Sequence, residues 1–475
     1  MEIVIAAGAV AFFVLMGALA IIGYVNNLFS LADNVKRLRG RSPKTATVED
    51  LDRLRHDIFE YFNHWRAVPK ESTEKLVAAA PPERFKLLEE AAKAQREHRY
   101  ADAVEHLRAA LTPGLPAGEK SALLNLIGNS LLNLSRLSEA EEAHKEAVAA
   151  AAEAGDEQAR GAALGNLGIV FAQRGDLDLA DENFKRALEI AWRIDNPVGQ
   201  ANTLGNLGNV YRRRGDLERA EEHHKRALEI DRRIGNLRGE AQDLGNLGLV
   251  YAHRGDLDRA EQHHKQALEI HRRISNPLGQ AQQLGNLANV YADRSDLDKA
   301  EEYYNQSLDI HRRIDNPLGE ASDLGNLGTV YGTRGDLDQA EKHFKQALEI
   351  HRRVGDLLGQ ATALVNLGNV YGARGDLDKA EEHLKQSLEM NRRVNSPSGE
   401  AAALGNLGLL AKKRGRPEEA RRLLREALAL YERIGAGGQG PDTVRAALRR
   451  LEEAGGEEKP RRRTHKQKDQ EPPAG

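Results

Sequence analysis

Between residues 121 and 440 the apolar positions of this chain recur every 40 residues. The stretch Leu204-Gly205-Asn206-Leu207-Gly208-Asn209-Val210-Tyr211 returns as Leu244-Gly245-Asn246-Leu247-Gly248-Leu249-Val250-Tyr251, and units begin at 121, 161, 201, 241, 281, 321, 361 and 401. The unit at 121 is degenerate, and a further diverged unit of 37 residues starts near 84, where Ala103, Leu107 and Ala110 hold the register. Within a unit, numbered 1 to 40, the spacing is helical. Positions 4, 7, 8 and 11 (Leu204, Leu207, Gly208, Tyr211) make one apolar side, and Leu217, Ala220, Ala227, Leu228, Ile230 and Ile234 make another further on. Asn196-Pro197, Asn276-Pro277 and Asn316-Pro317 supply an N-cap and a first-turn proline for one helix. Glycine at position 15 stops it, and aspartate at position 16 can cap the next, as at Gly215-Asp216. Small residues at positions 8 and 20 let the two helices approach closely. Such a pair cannot bury its apolar faces alone, so the pattern predicts an all-α solenoid of stacked helix-turn-helix repeats.

The segments flanking the repeats read differently. Ile3 to Val25 is a run of 23 residues without a charge, long enough for one amino-terminal transmembrane helix. Lys36, Arg37, Arg39, Arg41 and Lys44 follow it, which places the amino terminus outside and the repeats in the cytoplasm of a single-pass cell-membrane protein. The alternative is export after signal cleavage at Ala18-Leu19-Ala20. A leading basic region is missing, however, and the apolar run continues past that point. Lys36, Arg37, Arg39 and Arg41 are candidates for contact with anionic lipid. The expected division is a transmembrane anchor (1–26), a basic juxtamembrane segment (27–47), a helical spacer (48–81), a diverged first repeat (82–120), eight 40-residue repeats (121–440), a capping helix (441–454) and a disordered charged tail (455–475).

Composition narrows the function. Sixty-nine Lys and Arg balance 72 Asp and Glu for a net charge of −3, which does not call for nucleic acid as the main partner. With no cysteine there is no disulfide, thiolate metal site or cysteine nucleophile. No nucleophile, base and orienter can be assembled, and no cofactor motif survives inspection. His224 and His264 occupy a position that other units fill with Phe184, Tyr304 and Phe344, so they read as packed rather than metal-binding. Arg-Gly-Asp occurs five times, as at Arg214-Gly215-Asp216, at the corner between the two helices.

The pattern resembles the tetratricopeptide family, in its long Leu-Gly-Asn-bearing form similar to kinesin light chain and the spindle-orientation adaptors. The resemblance covers about residues 84–454 and rests on small residues at position 8 (Gly168, Gly208, Gly248, Gly328, Gly368, Gly408) and alanine at position 20. The period is 40 residues, longer than the family's usual repeat, and position 32 lacks the family's proline. The resemblance implies a right-handed superhelix whose concave face, lined by the first helices, holds an extended peptide. Position 6 lies opposite the packing side and is asparagine in seven units: Asn166, Asn206, Asn246, Asn286, Asn326, Asn366 and Asn406. A primary amide suits a peptide backbone because it both donates and accepts. Asn209, Asn289, Asn369 and Arg213 stand at the variable positions 9 and 13 beside it. Bonding between adjacent helices is the other explanation of the constant asparagine. The expectation is therefore a membrane-anchored, non-catalytic scaffold for a protein or peptide partner. Two rivals stand beside it: a self-associating structural protein without a peptide ligand, and a regulator whose basic tail binds anionic lipid or nucleic acid.

Overall fold

A computed structural model describes residue 76 and residues 80–97, 99–434 and 439–456. The anchor expected at 3–25, the basic segment with Lys36, Arg37, Arg39 and Arg41, nearly all of the spacer and most of the tail lie outside the described residues. Among the described residues no helix is long and apolar enough to cross a membrane.

The described residues form nineteen α-helices and no strand. The first compact unit, ending at Arg254, contains α1 (Pro82–Arg96), α2 (Tyr100–Ala110), α3 (Ala117–Asn133), α4 (Leu137–Glu153), α5 (Glu157–Arg174), α6 (Leu177–Arg193), α7 (Pro197–Arg213), α8 (Leu217–Ile234) and α9 (Leu237–His253). The second, from Gly255, contains α10 (Leu257–Arg273), α11 (Pro277–Asp293), α12 (Leu297–Arg313), α13 (Pro317–Arg334), α14 (Leu337–Val354), α15 (Leu357–Arg374), α16 (Leu377–Arg393), α17 (Pro397–Lys413), α18 (Pro417–Arg433) and α19 (Gln439–Gly456). In each compact unit a helix packs on its neighbours in the chain, and successive first helices also touch, which makes a repeat solenoid.

The small residues explain the pairing. Ala140, Ala180, Ala220, Ala260, Ala300, Ala340, Ala380 and Ala420, all at position 20, have no solvent exposure. At position 8 the glycine faces the side chain at position 24 of the same repeat. A Cβ on Gly208 would lie 2.6 Å from the His224 ring, and one on Gly168 would lie 2.7 Å from Phe184. The predicted caps are in place: Asn196 Oδ1 accepts from the Gly199 amide at 2.9 Å, and Asp216 Oδ1 from the Arg219 amide at 3.1 Å.

The corner between paired helices also joins successive repeats. Position 15 adopts a left-handed backbone, with φ of 80° at Gly215 and 88° at Gly375. The arginine before it reaches back one repeat. Arg334 bridges Asp298 at 2.5 Å and also pairs with Glu301, while Tyr331 donates to the same Glu301 at 2.5 Å. Tyr251 likewise donates to Glu221 at 2.7 Å, and Tyr371 to Glu341 at 2.7 Å. The Arg-Gly-Asp triplets are thus structural corners, in which the arginine makes ion pairs, the glycine turns the chain and most of the aspartates cap the next helix.

Two outcomes follow. Ala220→Leu overpacks a fully enclosed contact and costs about 1–3 kcal/mol, read as a lower urea midpoint. Ser295 is an exception at position 15, a serine held at φ 62°. Ser295→Gly relieves that backbone and raises stability by about 1 kcal/mol in the same measurement.

Candidate functional site

The exposed side of the first helices is set by what the other side must bury. In α11, Leu284, Leu287, Ala288 and Tyr291 go into the core, which turns Asn286 the other way. Asn206, Asn246, Asn286, Asn326, Asn366 and Asn406 are each half-buried, each on the first helix of its repeat. None of Asn206, Asn286, Asn326, Asn366 and Asn406 has a side-chain hydrogen-bond partner among the described residues, and Asn246 Nδ2 is enclosed without one. A half-buried amide with unmet donors and acceptors is ready for a ligand or for water.

Asn166 departs from this arrangement and from the expected exposure. It is buried, and its Nδ2 lies 3.5 Å from Asn125 Oδ1, which also bonds His144 Nδ1 at 3.1 Å. The reason is local: where most units carry glycine at position 5, the degenerate unit carries Asn125, whose amide engages Asn166. The neighbouring candidates also divide. Asn209 is half-buried and Asn369 exposed, whereas Asn289 accepts from the Tyr304 hydroxyl. Arg213 is tied to the last turn of the preceding first helix, donating to the Ala172 carbonyl, and Lys413 does the same to the Gly372 carbonyl at 2.6 Å.

Glycine at position 5 answers in part to the neighbouring repeat. A Cβ on Gly205 would lie 3.2 Å from Asp243 Oδ1, and one on Gly405 would lie 3.0 Å from Val444, although nothing stands within 4 Å at Gly165 or Gly325. Two cavities lie elsewhere. One of about 370 Å³ in the first compact unit is lined by residues including Glu141, Lys145, Phe171 and Arg186, and one of about 240 Å³ in the second by residues including Lys385, Arg392, Leu407 and Arg422. Neither includes a position-6 asparagine. Among the described residues no three acidic or histidine side chains are placed to hold a metal ion.

The sequence pattern did not single out the buried polar joints between repeats. His224 Nδ1 shares a hydrogen bond of 3.2 Å with Asp243 Oδ1, and His264 Nδ1 one of 2.9 Å with Gln283 Oε1. Burial, with the charge of Arg212, drives His224 down to about 3, and burial drives Asp243 up to about 8. A second joint forms where one repeat passes to the next. The position-31 side chain sits against the glycine at position 39: a Cβ on Gly239 would collide with Asp231, and Asn236 Nδ2 donates to Asp231 at 2.8 Å. The signal available for this joint is the glycine that recurs two residues after the proline or leucine opening α7, α9, α11, α13, α15 and α17.

A family model described as tetratricopeptide repeat matches residues 119–191, 199–273, 280–353 and 359–433. The chain belongs to the tetratricopeptide-repeat family. Solved structures with the same fold include a signal-transduction ATPase with a tetratricopeptide-repeat sensor from Pyrococcus horikoshii. It is 16% identical, with 87% of this chain and 68% of that one covered and a TM-score of 0.51. The apo quorum sensor NprR from B. thuringiensis is 13% identical, over 77% of this chain and 97% of that one, with a TM-score of 0.51. A Podosopora anserina structure of kinesin-light-chain TPR-like repeats is 17% identical, over 41% of this chain and 96% of that one, with a TM-score of 0.35. No curated protein sequence is significantly similar to the chain.

In this tetratricopeptide chain the Asp243 joint has a pH signature. The unfolded chain releases the Asp243 proton at its ordinary value of 3.8, and the folded chain holds it to about 8. Between those values the folded state binds more protons, so this group lowers stability as pH rises. His224 acts in the opposite sense, lowering stability as pH falls below 6.5. Asp243→Asn keeps an amide oxygen for His224, as Asn125 does for His144, and removes only the first slope. Its unfolding midpoint should match wild type near pH 4 and exceed it increasingly toward about pH 8. Parallel pH profiles for the two proteins would contradict the assignment.

Proposed function

We propose that this tetratricopeptide protein is a membrane-anchored scaffold that binds an extended segment of a partner protein along its first helices. The observation that carries the reading is the recurrence, repeat after repeat, of a half-buried asparagine amide with no partner among the described residues. Such an amide is open to water on one side, and a peptide backbone can take the water's place without reference to its side chains. Selectivity then falls to the residues around it, of which Asn209 and Asn369 are available and Asn289 and Arg213 are already engaged. The anchor is residues 3–25, with the repeats on the cytoplasmic side, a reading supported by the uncharged run and the basic residues after it.

The test replaces Asn286, Asn326 and Asn366 with alanine and compares crosslinked partners recovered from native membranes. Because these amides make no side-chain bond among the described residues, each substitution should move stability by no more than about 0.5 kcal/mol. Partner recovery should fall sharply. Equal recovery of the same partners would remove the asparagine ladder from the function. A reporter fused after Gly475 that is active outside the cell would reverse the topology.

A further inference from the structure

The arginines at the two edges of the repeats are used differently. At the corner within a repeat they are neutralised, as where Arg294 bridges Asp258 and Glu261 and Arg414 pairs with Asp378 at 2.6 Å. At the corner between repeats, position 32 is paired in places, Arg312 with Glu320 at 2.9 Å and Arg392 with Glu400 at 2.7 Å, whereas position 33 in the second compact unit is Arg273, Arg313, Arg353, Arg393 and Arg433. All are exposed, and none has an ion-pair or side-chain hydrogen-bond partner among the described residues. Glu269, Asp309, Glu349 and Glu389 stand one turn before the first four, and no ion pair forms with them.

The same corner collects the apolar surface. Eight large hydrophobic side chains are exposed among the described residues, and seven of them lie at positions 32, 34 and 38. In the second compact unit these are Leu278, Leu318, Leu358, Val354 and Ile434; in the first they are Trp192 and Val198. Leu318 and Leu358 are each 52% exposed, although they sit within five residues of an unpaired arginine. A cation in the last turn of a helix complements the helix dipole, which explains the arginines alone. It does not explain a leucine left in water beside each of three of them.

We infer that this edge of the second compact unit docks on a bilayer surface carrying anionic headgroups, with position-33 arginines on the phosphates and position-38 leucines in the acyl boundary. Two observations select this occupant. The guanidinium groups are unpaired and complement headgroup charge. Position 33 is arginine in every repeat of the second compact unit and position 38 is leucine at three successive boundaries, whereas positions 9 and 13 vary, and a headgroup layer is a partner that repeats without change. The inference does not depend on insertion of residues 3–25, which the experiment reads separately.

The chain has no cysteine, so Leu318→Cys in the full chain gives one site for an environment-sensitive fluorophore. Vesicles of phosphatidylcholine alone are compared with mixtures of phosphatidylcholine and phosphatidylglycerol, and flotation reports anchoring in both. The expected result is a blue shift in the anionic vesicles, quenched by nitroxide-labelled acyl chains, with no shift at Glu382→Cys on the exposed side of α16. Arg273→Glu, Arg313→Glu and Arg353→Glu together abolish the shift at unchanged helicity, whereas lysine at the three positions retains it. Each arginine removed shifts docking about fivefold. A silent probe in anionic vesicles that carry the chain overturns the proposal. So does an equal shift in neutral vesicles, or a response to glycerol phosphate or polyglutamate alone.

Discussion

Everything in this fold follows from how closely two helices of one repeat can approach. Alanine at position 20 has no exposure in any of the eight repeats, and at position 8 a single added carbon on Gly208 or Gly168 would meet a ring. That contact fixes the hairpin. Once it is fixed, positions 4, 7 and 11 are committed to the core, and the opposite side of the first helix is left for polar residues. The corner within the repeat is then close enough to the preceding one for Arg334 to reach Asp298 and Glu301.

The same contact separates what the sequence discloses from what it conceals. Helix limits are local properties, and the Asn-Pro starts, Gly-Asp corners and apolar spacing mark them directly: α7 opens at Pro197 under the Asn196 cap, and Gly215 turns left-handed where the glycine predicts it. The matched tetratricopeptide segments lie within the expected range. The polar joints depend on how the chain turns and stacks. Asp231 meets Asn236 and Gly239 only after the chain has turned, and His224 meets Asp243 across a repeat boundary. The candidate amides were legible as a pattern, while their individual fates depended on neighbours: Asn166 is held by Asn125, and Asn289 by Tyr304.

A division of labour among surfaces emerges. Among the described residues the first-helix side carries several amides without a protein partner, the corner within repeats is charge-neutralised by Arg–Asp and Arg–Glu pairs, and in the second compact unit the corner between repeats holds unpaired position-33 arginines, three of them followed by an exposed leucine. A polar first-helix side, proposed to take a peptide backbone, and a separate charged edge can coexist on one short helical unit because 40 residues offer several sides, each repeated at the same interval.

The His224–Asp243 and His264–Gln283 bonds also bear on assembly of the array. Because the repeats are nearly alike, a hairpin could in principle stack on the wrong neighbour with little loss of apolar contact. The partners at this junction are not alike. Histidine faces a carboxyl group or an amide at two boundaries, while Phe344 and Ala363 share an apolar cluster at another. A hairpin shifted by several repeats would set a buried carboxyl group against a phenyl ring and leave it unbonded. The junction therefore acts as a key, giving almost interchangeable parts a fixed order.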